Sequence, residues 1–275
     1  MTPLRKKTVD YLLLKGYANA TIRTYIGHLA HYAQHYNRCP SQLDLEAVRL
    51  FLVYLVIEKN YSQSSVSGAY SALKILYEKI LNKGWDANKI PRSKKLKTLP
   101  SVLSKKEVNR LFEVTTNTKH KAILMILYSG GLRISEVVQL KITDIDSQRM
   151  LIRVRQGKGG KDRYTLLSEK MLIQLRLYYK IYQPQIYLFN GQRGSWPIAT
   201  TTVGSVFRQA KIKAGIIKQA SPHTLRHCFA THLIEDGVSV TKVQLLLGHT
   251  HINTTSRYLH LSTKHLNGIN HPMDK

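Results

Sequence analysis

Acidic side chains are scarce in this sequence: sixteen Asp and Glu stand against forty-two Lys and Arg in 275 residues. The net charge of +26 repels itself in a compact fold unless a polyanion shares the work. Nucleic acid is the leading partner class, with an anionic membrane surface as the alternative. Cysteine is nearly absent. Cys39 and Cys228 are far apart and in no metal-type spacing, which excludes a disulfide framework and points to a reducing compartment. Apolar runs such as residues 122–128 stop far short of a membrane span. Behind the basic start M-T-P-L-R-K-K, only Leu12, Leu13 and Leu14 form an apolar block, too short for a signal-peptide core. The chain is therefore expected in the cytoplasm.

What is present is enough apolar material, 43% of residues, to bury a core, and a length that allows one large or two ordinary domains. The positive charge is not confined to a tail. Residues 1–95 carry 15 basic and 6 acidic side chains, and residues 96–275 carry 27 and 10. Both halves are suited to backbone phosphates.

Residues 1–90 read as a helical domain. Ile22, Tyr25, Ile26, Leu29, Tyr32 and Ala33 mark one face of a helix over 20–36. Pro40-Ser41 is expected to open a second helix with Ser41 as cap, and Ser62 a third that Gly84 stops. Residues 91–102 form a basic linker: Pro91 and Pro100 bracket Arg92, Lys94, Lys95 and Lys97. Two readings stand for it, a solvated loop or a strap along a polyanion. Residues 103–275 form a second domain. Ser104 and Glu107 make a capping box, the runs 150–155 and 163–167 flank Q-G-K-G-G-K-D as a β-hairpin, and helices are expected over 168–182, 200–214, 222–236, 239–247 and 253–266.

Within 36 residues lie His223, Arg226, His249 and Tyr258, in the segments S-P-H-T-L-R-H, L-L-G-H-T and T-S-R-Y-L-H. Ser221 as cap and Pro222 at the first helical position place His223 and Arg226 on one face of a helix start. Gly248 reads as a helix C-cap ahead of His249, with His251 a close competitor. Arg133 follows Gly130-Gly131 and is expected near a helix N-terminus, where anions are favoured; a surface pairing with Glu136 is the plainer reading. Lys158, with Lys161 as rival, sits on the glycine-rich turn, either solvated or delivered as an ammonium to a leaving group. His227 and His232 read as packing or surface residues. Tyr258 is one of sixteen tyrosines, and its phenol, with a pKa near ~10, needs cations around it to ionise.

The order of these motifs is more specific than any one of them. R-x-x-E after a double glycine, the G-K-G-x-K-[DE]-R hairpin, H-T-L-R-H, L-L-G-H and a tyrosine nine residues on resemble the tyrosine recombinases of the phage-integrase superfamily. The Xer-like compact branch resembles it most, and the likeness covers essentially the whole chain. No separate arm-binding domain is expected before residue 1. The resemblance implies a mainly α fold with a small β-sheet: an N-terminal helical, SAM-like core-binding domain and an α+β catalytic domain, closing as a C-shaped clamp on double-stranded DNA. It implies Tyr258 as the nucleophile forming a 3′-phosphotyrosyl bond. Arg133, Arg226, His223 and His249 would hold the phosphate, His223 also helping with the phenol proton, and Lys158 would be the acid. Glu136 would orient a neighbour; Lys94, Lys95, Lys161 and Arg163 would contact DNA. No metal or nucleotide cofactor is implied. Strand exchange through a Holliday junction implies a tetramer in the nucleoid. The tail leucines Leu259, Leu261 and Leu266 would either seal the protomer's own core or dock on a neighbour. Relaxation of DNA by a type IB topoisomerase, or DNA binding without catalysis, are the alternatives.

Replacing Lys94 and Lys95 together by Ala is expected to weaken DNA binding at all sequences and to flatten its salt dependence by about two phosphate contacts. Titrating binding against salt concentration checks this, and an unchanged slope would leave the linker as a solvated loop.

Overall fold

The computed structural model describes residues 2–93, 100–155, 162–191 and 196–261, and the chain divides into two compact units, residues 1–98 and 99–275. Lys94, Lys95, Lys158, Lys161 and Leu266 lie outside the described residues. Among the described residues no helix is long and apolar enough to cross a membrane.

Among the described residues the first unit contains four α-helices: α1 (Pro3–Leu14), α2 (Asn19–Tyr36), α3 (Leu45–Ile57) and α4 (Gln63–Ile75), the last continued by a wider π turn over Leu76–Ile80. Ile22, Ile26, Leu29 and Tyr32 face inward on α2, as their spacing predicts, against Val48, Phe51 and Leu55 of α3 and Ala69 and Leu73 of α4. Two buried phenols need partners in this core. Tyr32 and Tyr77 supply each other's at 2.9 Å, and Tyr77 also reaches the carbonyls of Pro40 and Leu43 at 3.3 and 3.2 Å. Ser62 caps α4, as expected. Ser41 does not cap a helix. Pro40–Gln42 is a single 3-10 turn, Leu43 is extended and buried, and the helix restarts only after it, with Asp44 accepting the Ala47 N–H at 2.8 Å.

The second unit is built on α6 (Thr118–Ser129), whose Ala122, Ile123, Leu124, Ile126 and Leu127 are fully buried. It is preceded by α5 (Lys105–Glu113), closed by its capping box, and followed by α7 (Ile134–Gln139). The hairpin forms as β2 (Leu151–Val154) against β3 (Arg163–Leu166), in register Ile152 opposite Thr165 and Val154 opposite Arg163. A third strand, β1 (Ile145–Asp146), pairs antiparallel with β2; two residues are too few to leave an alternation signal. The helices α8 (Glu169–Tyr182), α9 (Thr200–Lys213), α10 (Pro222–Glu235) and α11 (Val240–Leu247) fall where the periodicity places them. The last expected helix is cut short. α12 (Asn253–Ser256) ends before Tyr258, and a 3-10 turn over Leu259–Leu261 follows. Leu259 and Leu261 pack on the protomer's own cluster of Phe229, Val243, Leu247 and Tyr258. The fold is mainly helical with one small sheet.

One close approach in this core depends on glycine. Gly131, at the end of α6, has φ of 59°, and a Cβ there would lie 2.3 Å from the Phe229 ring of α10. Gly131→Ala is expected to cost about 1–2 kcal/mol from the left-handed backbone alone, with the overlap adding to it. Thermal unfolding of the variant checks this; an unchanged melting temperature would mean that α10 can move away freely.

Candidate active site

The site grows from the end of α6. Gly130 and Gly131 turn the chain so that Arg133 becomes the N-cap residue of α7. Glu136, one turn on, reaches back: its Oε2 accepts the Arg133 N–H at 2.8 Å and its Oε1 the Arg133 Nη1 at 2.7 Å. The register of β3 brings Arg163 onto the same carboxylate, Nη1 to Oε1 and Nη2 to Oε2, both at 2.8 Å. A third guanidinium, that of Arg226 on α10, lies 3.7 Å away through Nη1. Glu136 is 9% exposed and Arg226 3%.

The C-terminus of α11 supplies the other wall. A helix end leaves carbonyls without partners, and here two arginines fill them. Arg163 Nε donates to the Leu246 carbonyl at 3.0 Å and Arg226 Nη2 to the Leu247 carbonyl at 2.6 Å. Arg226 Nη1 donates to the Gly131 carbonyl at 2.6 Å, so α6, α10 and α11 meet on one side chain. Gly248 closes α11 with φ of 64°, as expected of a C-cap, and a Cβ on it would lie 2.6 Å from Arg163. His249 then leads the loop. Its Nε2 faces Arg226 Nη2 at 3.1 Å and its Nδ1 the Thr255 hydroxyl at 2.8 Å.

Tyr258 is 2% exposed. Its ring lies nearly parallel to that of His249, at 15° and 6.4 Å between centroids, and its hydroxyl is 2.9 Å from Nδ1 of His227. His223 is an exposed residue on the first turn of α10, whose start is fixed by Pro222 and by the Ser221 N–H donating to the Thr224 hydroxyl at 3.0 Å.

Electrostatics follow from this crowding of cations. Burial would raise the Glu136 carboxyl, but hydrogen bonds and charge from Arg163, then Arg133, bring it down to about 2. Burial, then the charge of Arg133, lowers Arg226 to about 10. The imidazoles of His249 and His227 fall to about 3 and about 4, through burial first and then, among others, the Arg226 charge. His223 is lowered in the same way. Burial raises the Tyr258 phenol, against the pull of Arg226, Arg257 and Arg133. The surrounding cations are present as the sequence suggests, yet in this arrangement loss of water outweighs them.

The structure thus brings together Arg133, Glu136, Arg226, His249 and Tyr258, with His223 at the rim of the same helix start. Two residues sit otherwise than their sequence context suggests. The Arg163 side chain, expected to contact DNA, is 10% exposed and its guanidinium is bonded to Glu136 and to the Leu246 carbonyl. His227 is not mere packing, since it holds the Tyr258 hydroxyl; its place four residues after His223, on the same helical face, is the signal that marks it. His232, in contrast, is a packing residue, 5% exposed and bonded to the Tyr128 hydroxyl at 2.9 Å. Of the pair, His251 is exposed, whereas His249 is bonded to Arg226 and Thr255. Thr255, which orients His249, gives no sequence signal.

Residues 101–265 match the model of the phage integrase family, and residues 4–87 that of the phage integrase N-terminal SAM-like domain. The class is that of the tyrosine-type site-specific recombinases. The chain belongs to the phage integrase family. It is 40% identical over 275 residues to the putative integrase/recombinase y4qK of Sinorhizobium fredii, covering 100% of this chain and 89% of the relative. It is 34% identical over 259 residues to the tyrosine recombinase XerA of Pyrococcus horikoshii, covering 93% and 88%. A lambda integrase dimer bound to a COC′ core site has the same fold, with a TM-score of 0.76 at 19% identity over 93% of each chain.

A carboxyl held at about 2 against its ordinary 4.5 favours the folded state through its ionised form. That contribution, on the order of 3 kcal/mol, is fully present above pH 4.5 and is lost as pH falls toward 2. Glu136→Gln is therefore expected to be less stable than wild type at pH 7, with a gap that narrows below pH 4.5. Urea unfolding at a series of pH values measures it; a gap that does not change with pH would mean that the ionised carboxylate is not what the arginines hold.

Proposed function

We propose that this chain cuts and rejoins DNA strands at specific sites, with Tyr258 as the nucleophile. The observation that carries this reading is the meeting of Arg226, His249 and Tyr258, with Arg133 on the same carboxylate as Arg226. Planar guanidinium groups suit the non-bridging oxygens of a phosphate and offset the charge that grows as the phosphorus becomes five-coordinate. Three hydrogen bonds already orient Arg226, toward Gly131, Leu247 and His249; its Nε–H and second Nη1–H are not used by them. The site is thus ordered before the phosphate arrives.

In the proposed reaction Tyr258 attacks the scissile phosphate and a 3′-phosphotyrosyl bond replaces the phosphodiester. The 5′ oxygen leaves with a proton from Lys158, and the 5′-hydroxyl of a second strand reverses the step. The bond energy stays in the ester. Double-stranded DNA is the partner, which the net charge of +26 and the family both support. Residues 1–90 and 103–275, joined by the basic segment 91–102, both supply DNA contacts. Exchange between two duplexes calls for four protomers, and residues 262–275 are a candidate contact between them. The setting is the cytoplasm, at the nucleoid.

On a nicked suicide site, wild-type protein is expected to become covalently trapped and Tyr258→Phe to bind DNA without any trapping. Trapping by the phenylalanine variant at the wild-type level would remove Tyr258 from its role. Relaxation of a supercoiled plasmid that lacks any specific site would favour a topoisomerase instead.

A further inference from the structure

Two imidazoles, His227 and His249, flank the Tyr258 ring, a third, His223, stands one turn earlier on α10, and they are not equivalent. Arg226 can only donate, so the His249 Nε2 that faces it at 3.1 Å accepts. A neutral His249 then carries its proton on Nδ1 and donates it to Thr255 at 2.8 Å. Both of its nitrogens are committed. His223 is itself exposed on the first turn of α10. The phenol oxygen is instead 2.9 Å from His227 Nδ1, with the two rings 5.6 Å apart. Tyr258 is almost fully buried, so bulk water has poor access to its proton.

We infer that Tyr258 donates its hydroxyl hydrogen to His227 Nδ1 and that His227 receives this proton during attack. This rests on the reading of Tyr258 as nucleophile. The phenol oxygen bonds to phosphorus while its proton passes to Nδ1, leaving an imidazolium. The bond from phosphorus to the 5′ oxygen breaks, and that oxygen keeps the electron pair and takes a proton from the acid on the opposite side. In rejoining, the imidazolium returns the proton to the phenol oxygen.

The groups facing His227 set its basicity. His223 and Arg226 lie on its own helix, and Arg257 comes from the segment after α12. Burial first, and then these groups, hold the imidazole neutral, down to about 4, so it keeps a lone pair at physiological pH. A DNA phosphate places negative charge against the same guanidinium groups and raises the basicity of His227 as the proton needs an acceptor.

The test is single-turnover trapping on a nicked suicide site between pH 5.5 and 9, with an ordinary phosphodiester and with a 5′-bridging phosphorothiolate, whose sulfur leaves without a proton. His227→Asn and His227→Gln keep a polar side chain but cannot take up the proton; melting curves and DNA binding establish that they fold. Trapping by either is expected to fall about 100-fold at pH 7 and to climb roughly tenfold per pH unit where wild type is flat. The deficit should persist on the sulfur substrate. Wild-type rates, or a loss equal at every pH, would overturn the inference and leave His227 as a positioning residue at most. Rescue by the sulfur leaving group would also overturn it, placing His227 on the acid side. If neither variant folds, the wild-type profile decides: a trapping rate that still rises tenfold per pH unit up to pH 9 overturns the inference, and one that levels off below that supports it. Tyr258→Phe separates the two readings: trapping without the tyrosine sinks the nucleophile itself, whatever His227 does.

Discussion

Glu136 is the constraint on which the rest of the site depends. One carboxylate, taken out of water, receives Arg133 from the start of α7 and Arg163 from β3, and lies within ion-pair distance of Arg226 on α10. Burying an ionised carboxylate is costly unless its oxygens are filled, and here hydrogen bonds fill both. Three guanidinium groups against one carboxylate still leave positive charge in excess. The lowered Arg226 records that strain, since burial and the neighbouring Arg133 both oppose its charge. An anion placed beside these groups would relieve it, which favours phosphate there in the proposed reaction.

The same excess sets the state of the histidines. His223, His227 and His249 are all lowered, and at about 4 and about 3 the last two are neutral rings at physiological pH. Neutral rings can accept as well as donate, and Arg226 uses this by donating to His249. A site built to grip a phosphate with charged imidazoles would need the phosphate present first. The arginines therefore supply the standing charge, and the histidines respond to it.

Much of this was legible in the sequence because it is local. Ser62, Ser104 and Gly248 act at helix ends within a few residues of the bonds they make, and the motif order from Arg133 to Tyr258 marks the site. What was not legible is contact over distance. Arg163 meets Glu136 across 27 residues because the pairing of β3 with β2 aims its side chain inward. A basic residue after a glycine-rich turn reads equally well as a phosphate contact. His227 meets Tyr258 across 31 residues through the turn that follows α12, and the length of α12 itself is not encoded in a periodic pattern. Asp44 replaces Ser41 as a cap because burial of Leu43, a tertiary demand, delays the helix.

The two levels of charge in this chain act over different ranges. The net +26 acts through solvent, where ions screen it within about 10 Å at ordinary salt. It can gather DNA but cannot choose an atom. Arg133 and Arg226 act in a site where Tyr258 and Glu136 are buried and screening is weak. Their direction is fixed by bonds to backbone carbonyls and to Glu136, so little reorganisation remains when a phosphate arrives. In the proposed reaction, reversing strand cleavage requires that the phosphotyrosine and the phosphodiester be held almost equally well. Guanidinium groups directed at the non-bridging oxygens would meet that requirement, because those oxygens are common to both esters.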